Sequence, residues 1–222
     1  MTDTIAQIVH GRGITEILHF TSNHGVVGSL EVGAVLSRRK LPEESHLAFI
    51  AAPTSTTRRE ASAYFDKNKD WLDFVNLSIT EINTNYFRFA STRWHVDGDR
   101  WWVILSFCPE IVSHEGVYFT TTNNVYEFVV REAGGQGLQK LFSPSVKRKT
   151  GWTAVRGDRP DNVPTCEQAE VLYPERLSLE YLRKIYVRNG DEHDRIWSFL
   201  ALYKRPDVEV VIDEAKFAGR PN

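Results

Sequence analysis

His19 and Glu170 are the residues of this chain whose types and settings best suit work on a bond between a ribose and a nitrogen. Glu170 lies in the run QAEVLY. A carboxylate on a strand at the floor of a cleft can stabilise positive charge growing on the sugar and can take a proton from the attacking atom. It would work ionised, which favours a hydrogen-bonded setting. His19 lies in Ile17-Leu18-His19-Phe20, where strand alternation puts it on the face opposite Leu18 and Phe20. A neutral imidazole there could bond a ribose hydroxyl, with Thr21 and nearby backbone meeting the adenosine half or the carboxamide of a nicotinamide dinucleotide. Phe20 adds the aromatic member of such a pocket, Ser78 is read as a further contact to the same ligand, and Gly28 and Gly33 would let backbone approach it closely. Each feature also has a plainer reading. Glu170 could lie on the solvated face of an edge strand, His19 could be a satisfied, half-buried histidine, and the glycines could mark the start and stop of a helix.

Two sets of cations accompany this pair. Arg58 and Arg59 suit a diphosphate or a leaving group, because a planar guanidinium meets phosphate oxygens two at a time. Only one of the two could point into a cleft from a helix, and Arg59 is preferred. Lys147-Arg148-Lys149 beside Trp152 combine cations with an aromatic as single-stranded nucleic-acid grooves do, although a charge run also reads as a solvated face. No metal site is expected. Asp191-Glu192-His193-Asp194 opens a helix, where acidic residues favour the positive end of the dipole. Ala133-Gly134-Gly135-Gln136-Gly137 lacks the Lys-Ser/Thr of a phosphate loop.

The elements that must position these residues follow from periodicity. ITEILHFTS reads as a strand, and NHGVVGSLEVG as a short helix closed by Gly33 in the left-handed conformation. AVLSRR, HLAFIAA, LDFVNLSIT, YFRFAS, WWVILSF, QAEVLY and VEVVI read as strands, with Trp101 and Trp102 packing both faces of a central one. Helices are expected from Thr56 to about Phe65, from Asn123 to about Arg131, over GLQKLF with AGGQG breaking the run before it, as a short helix feeding a strand in SLEYLRKIYV, and over DEHDRIWSFLALYKR. Residues 143–165 show no stable period and read as a long surface loop. The 222 residues suit one domain spanning 1–222, of α+β class with a mostly antiparallel central sheet and flanking helices.

Whole-chain numbers narrow the function classes. A net charge of −2 argues against a general nucleic-acid coat, so any such binding rests on a local patch. Cys108 and Cys166 lie far apart without ligand spacing, which predicts two thiols in a reducing cytoplasm. No signal pattern or membrane-length apolar run appears, and no membrane association is expected.

The ordered set of His19, Thr21, Gly28 and Gly33, then Arg58-Arg59 ahead of Asp73-Phe74-Val75, then Gln168-Ala169-Glu170, resembles the DarT family of DNA-base ADP-ribosyltransferase toxins from bacterial DarTG toxin–antitoxin pairs. The resemblance implies an ADP-ribosyltransferase fold and a transferase of the pentosyl class that uses NAD as co-substrate without a metal. It makes Glu170 the catalytic carboxylate, brings an arginine of the 58–59 pair into the active site, and puts His19 and Thr21 in contact with NAD. Single-stranded DNA is then the partner, with a macrodomain antitoxin that reverses the modification, and the enzyme is expected to be a monomer. Where the thymine-modifying branch carries a Tyr-Val-Pro-aromatic stretch leading to Pro-Arg-Ser, this chain has DWLDFVNLSITEINTNYFRFASTRWHV and then WWVILSFCPEI. Base choice is set by contacts around the target base, so the replacement points to the guanine-modifying branch. Two other classes stay open on the sequence: an ADP-ribosyltransferase acting on RNA or protein, and a silent nucleic-acid-binding module.

Overall fold

The computed structural model describes residues 3–41, 73–93, 99–124 and 126–222. The expected HLAFIAA strand, the helix from Thr56, and both Arg58 and Arg59 lie outside the described residues. Twelve strands are described: β1 (Ile17–Ser22), β2 (Ala34–Leu36), β3 (Phe74–Ile79), β4 (Trp102–Phe107), β5 (Tyr118–Thr120), β6 (Arg131–Ala133), β7 (Ser145–Lys149), β8 (Trp152–Val155), β9 (Glu170–Pro174), β10 (Arg176–Ser178), β11 (Leu182–Val187) and β12 (Glu209–Ile212). The described α-helices are α1 (Ile5–Gly11), α2 (Asn23–Val32), α3 (Thr84–Arg93), α4 (Gly134–Lys140) and α5 (Gly190–Leu202). Eight strands form one sheet in the order β12-β11-β4-β1-β3-β9-β5-β6. Its pairings are antiparallel except β11 with β12, which matches the expected α+β class.

Strand alternation divides the core. Ile17, Leu77, Leu105, Phe119 and Val171 build the larger apolar layer on one face. Leu18, Ile104 and Tyr186 meet Ile82, Phe87 and Phe217 on the other, with Phe20 and Trp102 packed against them. Trp101, just ahead of β4, packs on the first layer and Trp102, the first residue of β4, on the second.

The entry to α2 follows local chemistry. Ser22 ends β1 and caps the helix by accepting the Gly25 N–H at 3.2 Å, and Gly33 closes it at φ 70°. A side chain at Gly25 has no room, because a Cβ there would lie 2.0 Å from Thr21 Oγ1.

Four expectations are corrected. YFRFAS is not a strand but part of α3: the Asn83 side chain accepts the Tyr86 N–H at 3.0 Å, and Phe87 and Ala90, three apart, are buried together. A cap and helical packing outweigh aromatic strand propensity there. In place of the helix expected over 123–131, residues 123–124 and 126–130 are turn or irregular and lead into β6, and α4 begins within the glycine run expected to break helices. Gly135 and Gly137 let α4 press onto backbone, since a Cβ would lie 2.3 Å from Asp3 O and 2.2 Å from Glu132 O respectively. Residues 143–165 are not a loop throughout, for β7 and β8 form an antiparallel hairpin within them.

Candidate active site

β1 is paired unequally along its two edges. Its ladder with β4 runs over six residues, from Ile17 to Ser22, whereas its ladder with β3 stops after Ile17↔Ile79 and Leu18↔Ser78. From His19 onward the two strands part, and a crevice opens between them. His19 spans this gap at its root, with Nδ1 3.0 Å from the carbonyl oxygen of Asn76 on β3. A carbonyl only accepts, so Nδ1 carries the proton and the neutral ring presents Nε2 as an acceptor. Burial holds the imidazole below its ordinary value, and the bond to Asn76 offsets this in part. The imidazole is therefore neutral at pH 7.

On the far side of β3 stands Glu170, the first residue of β9. β9 lies between β3 and β5, so the plain reading of Glu170 as an edge-strand residue does not hold. Its Oε1 accepts from Asn76 Nδ2 at 3.0 Å and its Oε2 from the Asn124 N–H at 3.2 Å. Arg131 in turn clasps Asn124, its Nε donating to the side-chain oxygen and Nη2 to the carbonyl. Burial depresses the Arg131 guanidinium while the charge of Glu170 raises it, so the two charges lie within electrostatic reach. The loop before β9 is pinned at Glu167, whose carboxylate accepts from Thr84 Oγ1 at 3.2 Å and from the Asn85 side-chain amide.

Asn76, Ser78, Leu172 and Glu170 share a sheet face with Leu18 and Phe20, as the register requires. Phe20 is fixed there by Phe87, Trp102 and Tyr86, with ring centroids at 5.3, 5.9 and 5.8 Å. Thr21 lies over Gly25 at the mouth of α2. Gly28 is a buried residue of α2. Asn76, Asn124 and Arg131 were not singled out in the sequence. Asn76 had a signal in the alternation of polar Asn76 and Ser78 with apolar Val75, Leu77 and Ile79, while Asn124 and Arg131 were hidden in a stretch read as helix.

The basic run is split by the hairpin. Lys147, Lys149 and Trp152 are exposed, whereas Arg148 is 1% exposed and gives Nη2 to the backbone and side-chain oxygens of Asn222, each at 2.6 Å. A strand period of two turns alternate residues inward, so Arg148 is corrected from an expected nucleic-acid contact to an internal tie. Lys147 Nζ lies 3.6 Å from the centre of the Phe128 ring and Lys149 Nζ 4.4 Å from that of Tyr126. Each of these exposed lysines thus lies close to an aromatic ring.

Among the described residues no group of three or more His, Cys, Asp or Glu is placed to hold a metal, and no helix is long and apolar enough to cross a membrane.

A sheet parted between β1 and β3, with a neutral histidine at the split and a tethered glutamate one strand away, is the arrangement of an ADP-ribosyltransferase-type domain. The family model described as "ssDNA thymidine ADP-ribosyltransferase, DarT" matches residues 18–217, and the chain belongs to this family of NAD-dependent ADP-ribosyltransferases. Thermus sp. 2.9 DarT in complex with ADP-ribosylated ssDNA is similar to it with a TM-score of 0.65 and 15% identity, over 97% of this chain and 99% of that one. The same protein in complex with carba-NAD+ gives 0.62 and 16%, over 91% and 97%. Thermosipho africanus DarTG in complex with ADP-ribose gives 0.63 and 15% over 91% of this chain, which spans 51% of that protein's length. At these identities the likeness to solved structures is one of fold. A comparison with curated proteins gave no match.

Proposed function

We propose that this chain transfers ADP-ribose from NAD to a guanine base of single-stranded DNA, as the toxin of a DarTG-type pair restrained by a macrodomain antitoxin. The observation that carries the reading is Glu170, whose carboxylate accepts from Asn76 and Asn124 one strand away from the crevice that His19 bridges. Thermus DarT, to which the chain is similar, has been seen with carba-NAD+ and with ADP-ribosylated ssDNA. In the reaction the bond from the ribose anomeric carbon to the nicotinamide nitrogen breaks, and its electron pair leaves with nicotinamide. A base nitrogen forms the new bond to that carbon, and its proton passes to the Glu170 carboxylate. The ionised Glu170 also stabilises positive charge on the ribose as the bond loosens. His19 Nε2 accepts from a ribose hydroxyl, Thr21, Phe20 and Ser78 complete the NAD contacts, and Arg59 or Arg58 steadies the diphosphate or the leaving group.

Lys147, Lys149 and Trp152, with Tyr126 and Phe128, supply the path for the DNA strand, since bases stack on aromatics while lysines follow phosphates. The preference for guanine rests on the middle of the chain, which lacks the motif of the thymine-modifying branch. Free Cys108 and Cys166 suit a cytoplasmic enzyme, and it acts as a monomer. The test is mass spectrometry of otherwise identical single-stranded oligonucleotides holding one guanine or one thymine, each incubated with NAD. ADP-ribose on the guanine oligonucleotide is expected. Label only on thymine overturns the base, and label only on RNA or protein overturns the substrate class.

A further inference from the structure

We propose that Asn76 is a positioning residue that orients the Glu170 carboxylate through its side-chain amide while its backbone carbonyl holds the NAD-binding histidine. The proposal rests on the reading of Glu170 given above. One residue reaches both groups: its backbone carbonyl takes the His19 Nδ1–H at 3.0 Å, and its side-chain amide donates to Glu170 Oε1 at 3.0 Å. It can do so because β3 lies between β1 and β9 in the sheet. A shift of β3 therefore moves the anchors of both groups together.

The side chain has no claim on the core. Val75 and Leu77 on either side of it are buried at 3% and 1%, while Asn76 itself is exposed. An exposed amide contributes little to stability, because water replaces its bond when it is removed. It can still fix an angle. Glu170 Oε2 accepts from the backbone N–H of Asn124, and the Asn76 amide gives the other oxygen a donor of its own, so losing that amide frees one end of the carboxylate from this contact. A neutral donor suits this task, since a lysine or arginine in its place would cancel the charge that the ribose needs.

The experiment follows NAD hydrolysis without DNA, so that it does not depend on the acceptor, for wild type, Asn76→Ala and Asn76→Asp. Asn76→Ala is expected to lower kcat by roughly 10- to 100-fold, the scale of a misplaced catalytic group, with KM for NAD within about twofold of wild type. Asn76→Asp has the same shape but opposes a second carboxylate to Glu170. It should fall below Asn76→Ala at pH 8 and recover toward it as the solution is acidified and the pair shares a proton. Crystals of Asn76→Ala should show the Glu170 carboxylate turned from its wild-type plane. The proposal is overturned if Asn76→Ala keeps wild-type kcat, if it raises KM alone, or if Asn76→Asp is no worse than Asn76→Ala at pH 8. A wild-type enzyme that hydrolyses NAD but labels no nucleic acid refutes the DNA reading, while the ratios among the Asn76 forms still decide this one.

Discussion

The two edges of β1 make opposite uses of the same strand. Toward β4 the backbone is sealed by a six-residue ladder, and the buried Glu16 just before the strand is saturated by donors. Ser106 Oγ and Tyr186 Oη each donate to it at 2.8 Å, and Lys216 neutralises it. Burial, and then the bond to Glu16, push the Tyr186 hydroxyl well above the ordinary tyrosine value. Toward β3 the ladder ends after two residues, and the His19 ring bonds the Asn76 carbonyl where backbone pairing stops, while the Asn76 amide reaches Glu170 on the other side of β3. The carboxylate of Glu16 is tied to a lysine in the interior, whereas that of Glu170 accepts from the amides of Asn76 and Asn124.

The sharpest way to break this comparison is to remove the reactive carboxylate. Glu170→Gln should lower nicotinamide release and DNA labelling by about 10³-fold or more while NAD affinity, measured by calorimetry, stays within an order of magnitude. Labelling equal to wild type would deny Glu170 its role. On the sealed side the loss should be of stability and not of chemistry. Glu16→Ala leaves Lys216 without its partner and should cost about 3 kcal/mol in urea unfolding, with kcat unchanged in the fraction that remains folded.

Smaller effects separate the crevice from the hairpin. Reversing charge at Lys147 and Lys149 together should weaken single-stranded DNA binding roughly tenfold and flatten its dependence on log salt by about 1.4, without altering NAD hydrolysis. Arg148 is left out of that variant because its loss would loosen the tie to Asn222. The smallest effect is in pH. Burial lowers His19 from the ordinary 6.5, so NAD affinity should stay level from pH 8 to 6.5 and fall only below it, as protonation removes the Nε2 acceptor. The unfolded chain takes up that proton first, so the contribution of His19 to stability is whole above 6.5 and declines as the pH drops. Affinity falling already at pH 8 would show a histidine of the opposite kind.

Much of this was legible in the chain because it depends on local period. β1, α2 with its Gly33 cap, the Trp101-Trp102 strand and α5 all announce themselves through alternation, helical spacing or a capping residue. What was not legible depends on distance. The amide of Asn76 meets Glu170 across 94 residues, and nothing near Asn76 marks it apart from a polar–apolar alternation that any half-buried strand shows. Arg148 reads as surface by its type and is buried by its place in a hairpin. α3 was obscured by aromatic residues that favour strands until a cap and a neighbouring layer decide otherwise.

Gly25 and Thr21 share one volume, and that makes them a unit of inheritance. No methyl group fits at position 25 while the threonine hydroxyl occupies its present place, 2.0 Å from where that methyl would stand. Gly25→Ala alone should therefore disable the crevice wall, and pairing it with Thr21→Ala should restore the fold without restoring the hydroxyl. A library randomised at both positions would show this as sign epistasis, in which a change harmful in one background becomes tolerable in the other. The order of change therefore matters: position 25 opens to a side chain once the threonine hydroxyl has left its present place.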